Sequence, residues 1–175
     1  MWFHAASVGE SLSLLELLRR ISEERPDLHF LVTTGTVTSA EIMASRLPPA
    51  AFHQFIPLDA TAFVKRFLDH WRPDVAVWTE SEFWPSLLVE TAKRDIPMLL
   101  INARISKQSV DRWRFLKGAA RALLGLFQHA QVQDEVSAMY LRRLGLPVER
   151  TEITGTLKEG AAALPCDEDI RASFV

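Results

Sequence analysis

A carboxylate stands directly after the first apolar run of the chain, and its spacing permits two roles. Glu10 follows the run Trp2 to Ala6 through the short link Ser7-Val8-Gly9. A carboxylate at the start of a helix, facing a ligand crevice, could act as a general base. Ser7-x-x-Glu10 is also the spacing of a capping box, in which the glutamate accepts a hydrogen bond from a backbone N–H at the helix start. The residues alone favour the cap and leave catalysis open.

Two further carboxylates follow a later apolar run, Val75 to Thr79. In the loop Glu80-Ser81-Glu82 we expect Glu82 to cap the next helix, in whose first turn Pro85 is tolerated because no N–H is needed there. Glu80 is then left without an obvious structural duty, beside aromatic residues, where it could hold a sugar hydroxyl. The alternative is that Glu80 is a solvated surface acid.

Hydroxyl and basic side chains occur in other segments that follow apolar runs. The threonine-rich loop from Thr33 to Ser39, which includes Thr36, could offer hydroxyls and helix amides to phosphate or sugar oxygens. It could equally do no more than end a strand and cap a helix. Arg104 and Lys158 could neutralise a phosphate, or they could be ordinary surface charges.

Positive charge is concentrated in one stretch, here called the basic segment, from Arg104 to Arg121. It holds six basic residues and one acid, Asp111, in a chain whose net charge is -2. Apolar side chains recur at helical spacing over Arg112–Phe127, which predicts one amphipathic helix with a basic face. That face could contact anionic lipid, or it could be solvated while the apolar face packs into the core. The predicted apolar face consists of Trp113, Leu116, Ala120, Leu124 and Phe127.

The composition indicates one globular domain and excludes several classes of protein. The chain has 175 residues, of which 48% are hydrophobic and 24% charged, enough to bury a core. Its charge balance argues against a protein whose whole surface binds nucleic acid. One cysteine, Cys166, excludes an internal disulfide and a multi-cysteine metal site, and five scattered histidines predict no metal site. No uncharged apolar run reaches the roughly eighteen residues that a membrane span needs.

Seven short apolar runs alternate with segments of helical periodicity. The first helix is predicted over Glu10–Glu24, where leucines recur three and four residues apart. Several runs are apolar throughout, as in strands covered on both faces, so we predict an α/β, Rossmann-like, doubly wound parallel sheet. Ligands bind at the carboxyl ends of such strands, where the polar loops described above would meet. Glycine-rich dinucleotide and phosphate-loop motifs are absent. The predicted strands are Trp2–Ala5, Phe30–Thr33, Phe52–Ile56, Val75–Thr79, Met98–Asn102, Ala130–Gln133 and a run ending at Ile153.

Many of these segments, taken in order, resemble the motifs of one enzyme family. The matching segments are Trp2-Phe3-His4-Ala5-Ala6-Ser7-Val8-Gly9-Glu10, Thr33-Thr34-Gly35-Thr36, Pro57-Leu58-Asp59 with Arg66-Phe67, Pro73, Glu80-Ser81-Glu82-Phe83-Trp84-Pro85, Asn102-Ala103-Arg104-Ile105-Ser106 and Gly155-Thr156-Leu157-Lys158. Together they resemble the N-terminal half of the 3-deoxy-D-manno-octulosonic acid (Kdo) transferases, which build the inner core of lipopolysaccharide. Thr156 departs from the family pattern, which usually has Asn or Ser at this position.

This resemblance implies the N-terminal domain of a GT-B glycosyltransferase. Residues 1–160 are expected to form its acceptor-side domain, and residues 161–175 the start of the connection to a donor-binding half. That half and an N-terminal membrane anchor are expected to lie outside the chain. Such enzymes transfer Kdo from CMP-Kdo to the glucosamine disaccharide of a lipid A precursor, with inversion and without a required metal. No cofactor is expected besides the donor substrate CMP-Kdo, which the missing half would bind for the most part.

The resemblance also assigns roles to individual residues. Glu10 matches the proposed catalytic base of the family, and Glu80 matches a second required carboxylate that would position a substrate. Arg104 and Lys158 would lie near substrate oxyanions. Three further residues of the matching motifs are expected to contact substrate: Ser7, Gly9 and Thr36.

Location and rival functions follow from the same residues. The resemblance implies an enzyme at the cytoplasmic face of the bacterial inner membrane, with the basic helix Arg112–Phe127 facing the lipid surface. One rival is another GT-B enzyme, a transferase or sugar epimerase that uses a different nucleotide sugar. The other is a non-catalytic α/β module that docks lipid or a partner through Trp113, Phe115 and the basic helix, with Glu10 acting only as a cap.

Overall fold

The computed structural model describes residues 1–80 and 83–157, apart from the side chain of Arg114. Within these residues, strands and helices alternate along the chain. The strands are β1 (Trp2–Ala5), β2 (Phe30–Thr34), β3 (Ala51–Phe55), β4 (Ala76–Thr79), β5 (Met98–Ala103), β6 (His129–Val132) and β7 (Thr151–Ile153). The helices are α1 (Val8–Glu24), α2 (Val37–Arg46), α3 (Thr61–Trp71), α4 (Pro85–Ala92), α5 (Lys107–Trp113), α6 (Lys117–Leu124) and α7 (Glu135–Leu144). Short 3₁₀ turns occupy Arg114–Leu116 and Val148–Arg150.

All seven strands pair in parallel, in the order β3-β2-β1-β4-β5-β6-β7. The predicted doubly wound α/β sheet is therefore confirmed, and the observed strand ends differ from the predicted ones by at most one residue. The chain order reverses between β1 and β4. A crevice opens at such a switch point, beyond the carboxyl ends of the strands, and it is the usual ligand site of this architecture.

The sheet separates two apolar cores because successive side chains on a strand point to opposite faces. Trp2 packs toward α3, α4, α6 and α7, together with Trp78, whose ring centroid lies 4.8 Å away. Phe3 packs on the other face against Leu14 of α1 and Met43 of α2. Burying each large apolar side chain contributes about 1.5–3 kcal/mol, so covering both faces fixes the central strands that carry the site.

The single helix predicted over Arg112–Phe127, which overlaps the basic segment, is not observed. Helix α5 ends at Trp113, a 3₁₀ turn follows, and α6 ends at Leu124. A 3₁₀ turn has about 3.0 residues per turn instead of 3.6, so apolar positions before and after it no longer share one face. Leu116, predicted on the apolar face, is consequently 61% exposed, whereas Ala120, Leu124 and Phe127 are buried as predicted.

No helix among the described residues is long and apolar enough to cross a membrane. The first helix begins at Val8, two residues before the predicted start, because Ser7 is its N-cap.

Candidate functional site

Glu10 lies at the switch point, in the first turn of α1 after the carboxyl end of β1, and its carboxylate is held by two donors. Ala6 N–H donates to Oε2 over 2.8 Å, and the Ser7 hydroxyl donates to Oε1 over 2.8 Å. Glu10 N–H in turn donates to Ser7 Oγ over 3.3 Å. The contacts resemble a capping box, except that the backbone donor is Ala6, one residue before the cap. Glu10 is thus immobilised while 5% of its surface stays exposed.

Thr79 approaches the same carboxylate from the neighbouring strand. It is the last residue of β4, is fully buried, and donates its hydroxyl to the His4 carbonyl over 2.7 Å. Its Oγ1 also lies 3.3 Å from Glu10 Oε2. Nothing in the sequence connects Thr79 with Glu10, because only the pairing of β1 with β4 brings the two together.

His4 is buried beneath the crevice and is held neutral. Its Nδ1 lies 3.1 Å from Thr33 Oγ1 and 3.3 Å from the Thr33 carbonyl oxygen. Its ring stands edge-on to Trp78 and Trp84. Burial lowers the pKa of His4 to about 4, because the surrounding aromatic rings cannot solvate an imidazolium. A neutral ring that is 1% exposed supports the architecture of the site and does not reach into the crevice.

The carboxyl ends of β4 and β5 carry two residues in the left-handed backbone region. Glu80 has φ 57° and Asn102 has φ 52°, although neither is glycine. Such conformations cost of order 1–3 kcal/mol and are held where the surrounding structure over-determines them. The N–H of Glu80 donates to the Ile101 carbonyl over 3.0 Å, which fixes this turn to β5.

Glu80 and Arg104 line one cavity of about 520 Å³ beyond β4, β5 and β6, as the sequence analysis expected of residues at this edge. Glu10 is not among the described residues that line it, so the two predicted carboxylates serve different parts of the edge. The other lining residues are Ile105, Ser106, Lys107, Asp134, Val136, Ser137 and Tyr140.

Asn102 is a site residue to which the sequence analysis gave no separate role. Its Oδ1 accepts a hydrogen bond from Leu157 N–H over 3.1 Å, which fastens the segment after β7 to the end of β5. Gly155, with φ 79°, makes the turn that brings this segment back. Lys158, the predicted oxyanion contact, follows directly in the chain but lies outside the described residues. The only sequence signal was that asparagine tolerates the left-handed region better than most residues.

The threonine-rich loop takes the structural role that the sequence had left open. Thr36 is the N-cap of α2, accepting from Ser39 N–H over 3.2 Å, and its hydroxyl also contacts Ser39 Oγ. Thr33 and Thr34 are buried against His4 and His53. A substrate contact by Thr36 stays a prediction.

Gly9 and the start of α4 complete the edge. A Cβ added at Gly9 would meet nothing within 4 Å, so its backbone is open to an approaching molecule. Helix α4 begins at Pro85, and its first free N–H groups are taken by Asp59: Leu87 N–H donates to Oδ1 over 2.9 Å and Ser86 N–H to Oδ2 over 3.3 Å. Glu82, the predicted cap, lies outside the described residues. Among the described residues, no group of three or more His, Cys, Asp or Glu side chains could hold a metal ion.

Solved structures of sugar-nucleotide enzymes share this fold. UDP-GlcNAc 2-epimerase from Neisseria meningitidis, bound to UDP-GlcNAc, matches with a TM-score of 0.64 at 12% identity over 89% of this chain and 46% of that chain. A UDP-glucosyltransferase from Polygonum tinctorium matches with a TM-score of 0.54 at 14% identity over 97% of this chain and 55% of that chain. The class is therefore a Rossmann-like domain of the GT-B type, with a carboxylate fixed at its switch point.

Sequence comparison identifies the family within this class. Residues 1–161 match the family model described as 3-Deoxy-D-manno-octulosonic-acid transferase (kdotransferase), and the chain belongs to that family. This confirms the resemblance found in the sequence motifs.

Curated members of the family cover most of the chain. The 3-deoxy-D-manno-octulosonic acid transferase of Rickettsia bellii is 38% identical over 97% of this chain and 40% of its own length. That of Rickettsia felis is 42% identical over 83% and 31%, and that of Haemophilus influenzae 32% identical over 90% and 37%. The chain thus spans well under half the length of these relatives.

Proposed function

We propose that this chain is the acceptor-side domain of an inverting glycosyltransferase that moves Kdo from CMP-Kdo to the glucosamine disaccharide of a lipid A precursor, with Glu10 as the general base. The observation that carries the proposal is the Glu10 carboxylate, fixed by Ala6 and Ser7 at the β1–β4 switch point in a member of this family. Residues 1–160 form the acceptor-side domain, and residues 161–175 begin the connection to the donor-binding half.

The chemistry requires a base because a sugar hydroxyl is a weak nucleophile. As the acceptor oxygen bonds to the anomeric carbon of Kdo, its proton passes to Glu10, and the bond from that carbon to CMP breaks with the electron pair leaving on the phosphate oxygen. A positioned base contributes about 10²- to 10⁴-fold in rate. The phosphate leaves readily, so one carboxylate suffices where glycosidases use a pair. We propose no cofactor for this step besides the donor substrate CMP-Kdo.

Substrate is held on both sides of Glu10. Glu80 and Arg104 share a cavity, which supports a role for Glu80 with an acceptor hydroxyl and for Arg104 with a phosphate. Lys158 would add a second cation, and Ser7, Gly9 and Thr36 would line the approach to Glu10. CMP-Kdo would be bound mainly by the donor half.

The first experiment separates the base from the cap. Glu10→Gln keeps an acceptor for Ala6 N–H and replaces the acceptor of the Ser7 hydroxyl by an amide donor, to which Ser7 Oγ can turn as acceptor. The favourable charge that is lost at the start of α1 is worth about 0.3–1 kcal/mol. In a full-length transferase carrying this chain, we expect kcat for Kdo transfer to fall about a hundredfold or more. The urea midpoint of the chain should shift little. Glu24→Gln, exposed at the other end of α1, is the matched control and should leave both quantities unchanged.

Two results would contradict this assignment. Transfer per folded molecule that survives Glu10→Gln would reduce Glu10 to a cap, and the base would have to be sought at Glu80 or elsewhere. If another nucleotide sugar competes for the donor site and CMP-Kdo does not, the result would support the rival assignment, a GT-B enzyme that uses a different nucleotide sugar.

We propose further that the basic segment faces the anionic cytoplasmic surface of the inner membrane, where a lipid acceptor would be found. Phe115 is 81% exposed and lines a shallow cavity with Lys107, Arg112, Gln108 and Asp111, so an apolar anchor stands beside two cations and one acid. The 3₁₀ turn that breaks the predicted helix is what turns Leu116 outward, next to Phe115.

Vesicle sedimentation tests this surface. We expect the chain to sediment with vesicles containing phosphatidylglycerol and much less with pure phosphatidylcholine. Phe115→Ser and Arg112→Gln should each weaken sedimentation several-fold, since a surface cation contributes about 1 kcal/mol. Phe52→Ser is the matched control, because Phe52 is 55% exposed on the edge strand β3. Equal losses at positions 115 and 52 would contradict the proposal.

A further inference from the structure

The hydroxyl of Thr79 stands between two acceptors, and it has one proton to give. The His4 carbonyl oxygen lies 2.7 Å from Thr79 Oγ1, and Glu10 Oε2 lies 3.3 Å from it. The bond to His4 is the stronger of the two, because hydroxyl hydrogen bonds are most favourable near 2.7–2.8 Å. The same hydroxyl donates a longer, weaker hydrogen bond to Glu10 Oε2 and so links the carboxylate to the backbone of β1.

Thr79 holds the carboxylate from a second element of the fold. Ala6 and Ser7 bind it from positions four and three residues before Glu10, whereas Thr79 reaches Oε2 from the end of β4. Thr79 is fully buried, and its bond to the His4 carbonyl fixes where its hydroxyl lies. The position of the Glu10 carboxylate therefore depends on the docking of β4 as well as on the start of α1.

We propose that Thr79 is a positioning residue that acts through Glu10, holding the carboxyl group in place as it receives the acceptor proton. This inference deepens the proposed function and rests on Glu10 being the base. In the reaction, the acceptor O–H bond breaks, a Glu10 O–H bond and the new glycosidic bond form, and CMP leaves with the electron pair. Thr79 gains and loses no atom; its hydroxyl stays bonded to the His4 carbonyl and keeps Glu10 Oε2 in place.

A double-mutant cycle in the full-length transferase carrying this chain tests the coupling. Thr79→Val keeps the shape of the side chain and removes the hydroxyl, and we expect kcat to fall roughly tenfold with KM within about twofold, the pattern of an interaction that matters in the transition state. Thr79→Ser keeps the hydroxyl and should retain most of kcat. In a Glu10→Gln background, Thr79→Val should have no further effect on kcat, because the group through which Thr79 acts is gone.

Rates are taken per folded molecule, and Thr79→Ala is the second variant should the valine variant fold poorly. The inference is overturned if Thr79→Val leaves kcat unchanged, raises only KM, or lowers kcat equally in both backgrounds. A kcat that collapses in Glu10→Gln but not in Thr79→Val would sink this inference alone. A kcat that survives Glu10→Gln would overturn the proposed function and this inference with it.

Discussion

Protonating His4 should destabilise the fold, and the size of the effect follows from its burial. Burial lowers the pKa of His4 to about 4 from 6.5, so the unfolded chain binds more protons than the native one between these values. The contribution of neutral His4 to the free energy of unfolding is therefore fully present above about pH 6.5 and is lost as the pH falls toward 4. Between about pH 7 and pH 5 the loss amounts to about 2 kcal/mol of unfolding free energy.

Urea unfolding of the chain, followed by circular dichroism at several pH values, measures this loss. His4→Asn keeps a polar atom near Thr33 and removes the titrating ring. It should lower stability at neutral pH and flatten the decline between pH 7 and pH 5 by about 2 kcal/mol. His70→Asn, at an exposed position on α3, should leave the decline unchanged.

Other titrating groups cancel in this comparison. Partial burial also lowers the pKa of His53, but His53 is present in the parent and in both variants. The difference between parent and His4→Asn thus isolates His4. Parallel curves for the two would refute the reasoning, because they would mean that the proton affinity of His4 is the same in the folded and unfolded chain.

Two glycine substitutions should have opposite consequences. Gly145→Ala, at φ 115° with the added Cβ 2.8 Å from Arg121 Cβ, should lower the unfolding free energy by about 1–3 kcal/mol in urea titrations. Gly9→Ala meets nothing within 4 Å and should leave stability unchanged or raise it by about 0.4–1 kcal/mol, so that lost transfer in the full-length enzyme would report on substrate approach. Equal destabilisation by both would contradict the geometry.

The sheet could be predicted from the sequence because each strand has a signal in its own local sequence, a short apolar run. Runs such as Val75 to Trp78 are apolar throughout, and strands covered on both faces need such runs. The prediction of one continuous helix over Arg112–Phe127 was wrong because the apolar spacing there fits a regular helix. The 3₁₀ turn at Arg114–Leu116 is a local change of pitch that leaves no strong signal in the sequence.

The site could be predicted only where its contacts are local. Ser7 and Glu10 are three residues apart, so their pairing follows from spacing. Thr79 and Asp59 were missed as contacts because their partners lie 69 residues away at Glu10 and 28 away at Leu87. Such contacts depend on the strand order and on the course of the loops at the carboxyl edge of the sheet. Neither can be predicted from local sequence.

The order of the strands along the chain also determines when each contact of Glu10 and Thr79 can form during synthesis. The contacts of Glu10 with Ala6 and Ser7 span four and three residues, so they can form as soon as α1 does. The link from Thr79 to His4 spans 75 residues and waits until β4 has been made and has docked beside β1. Long-range contacts of this kind close late because loop closure must come first. In a nascent chain the Glu10 carboxylate is therefore held early by Ala6 and Ser7, but its contact with Thr79 forms only after β1 and β4 have paired.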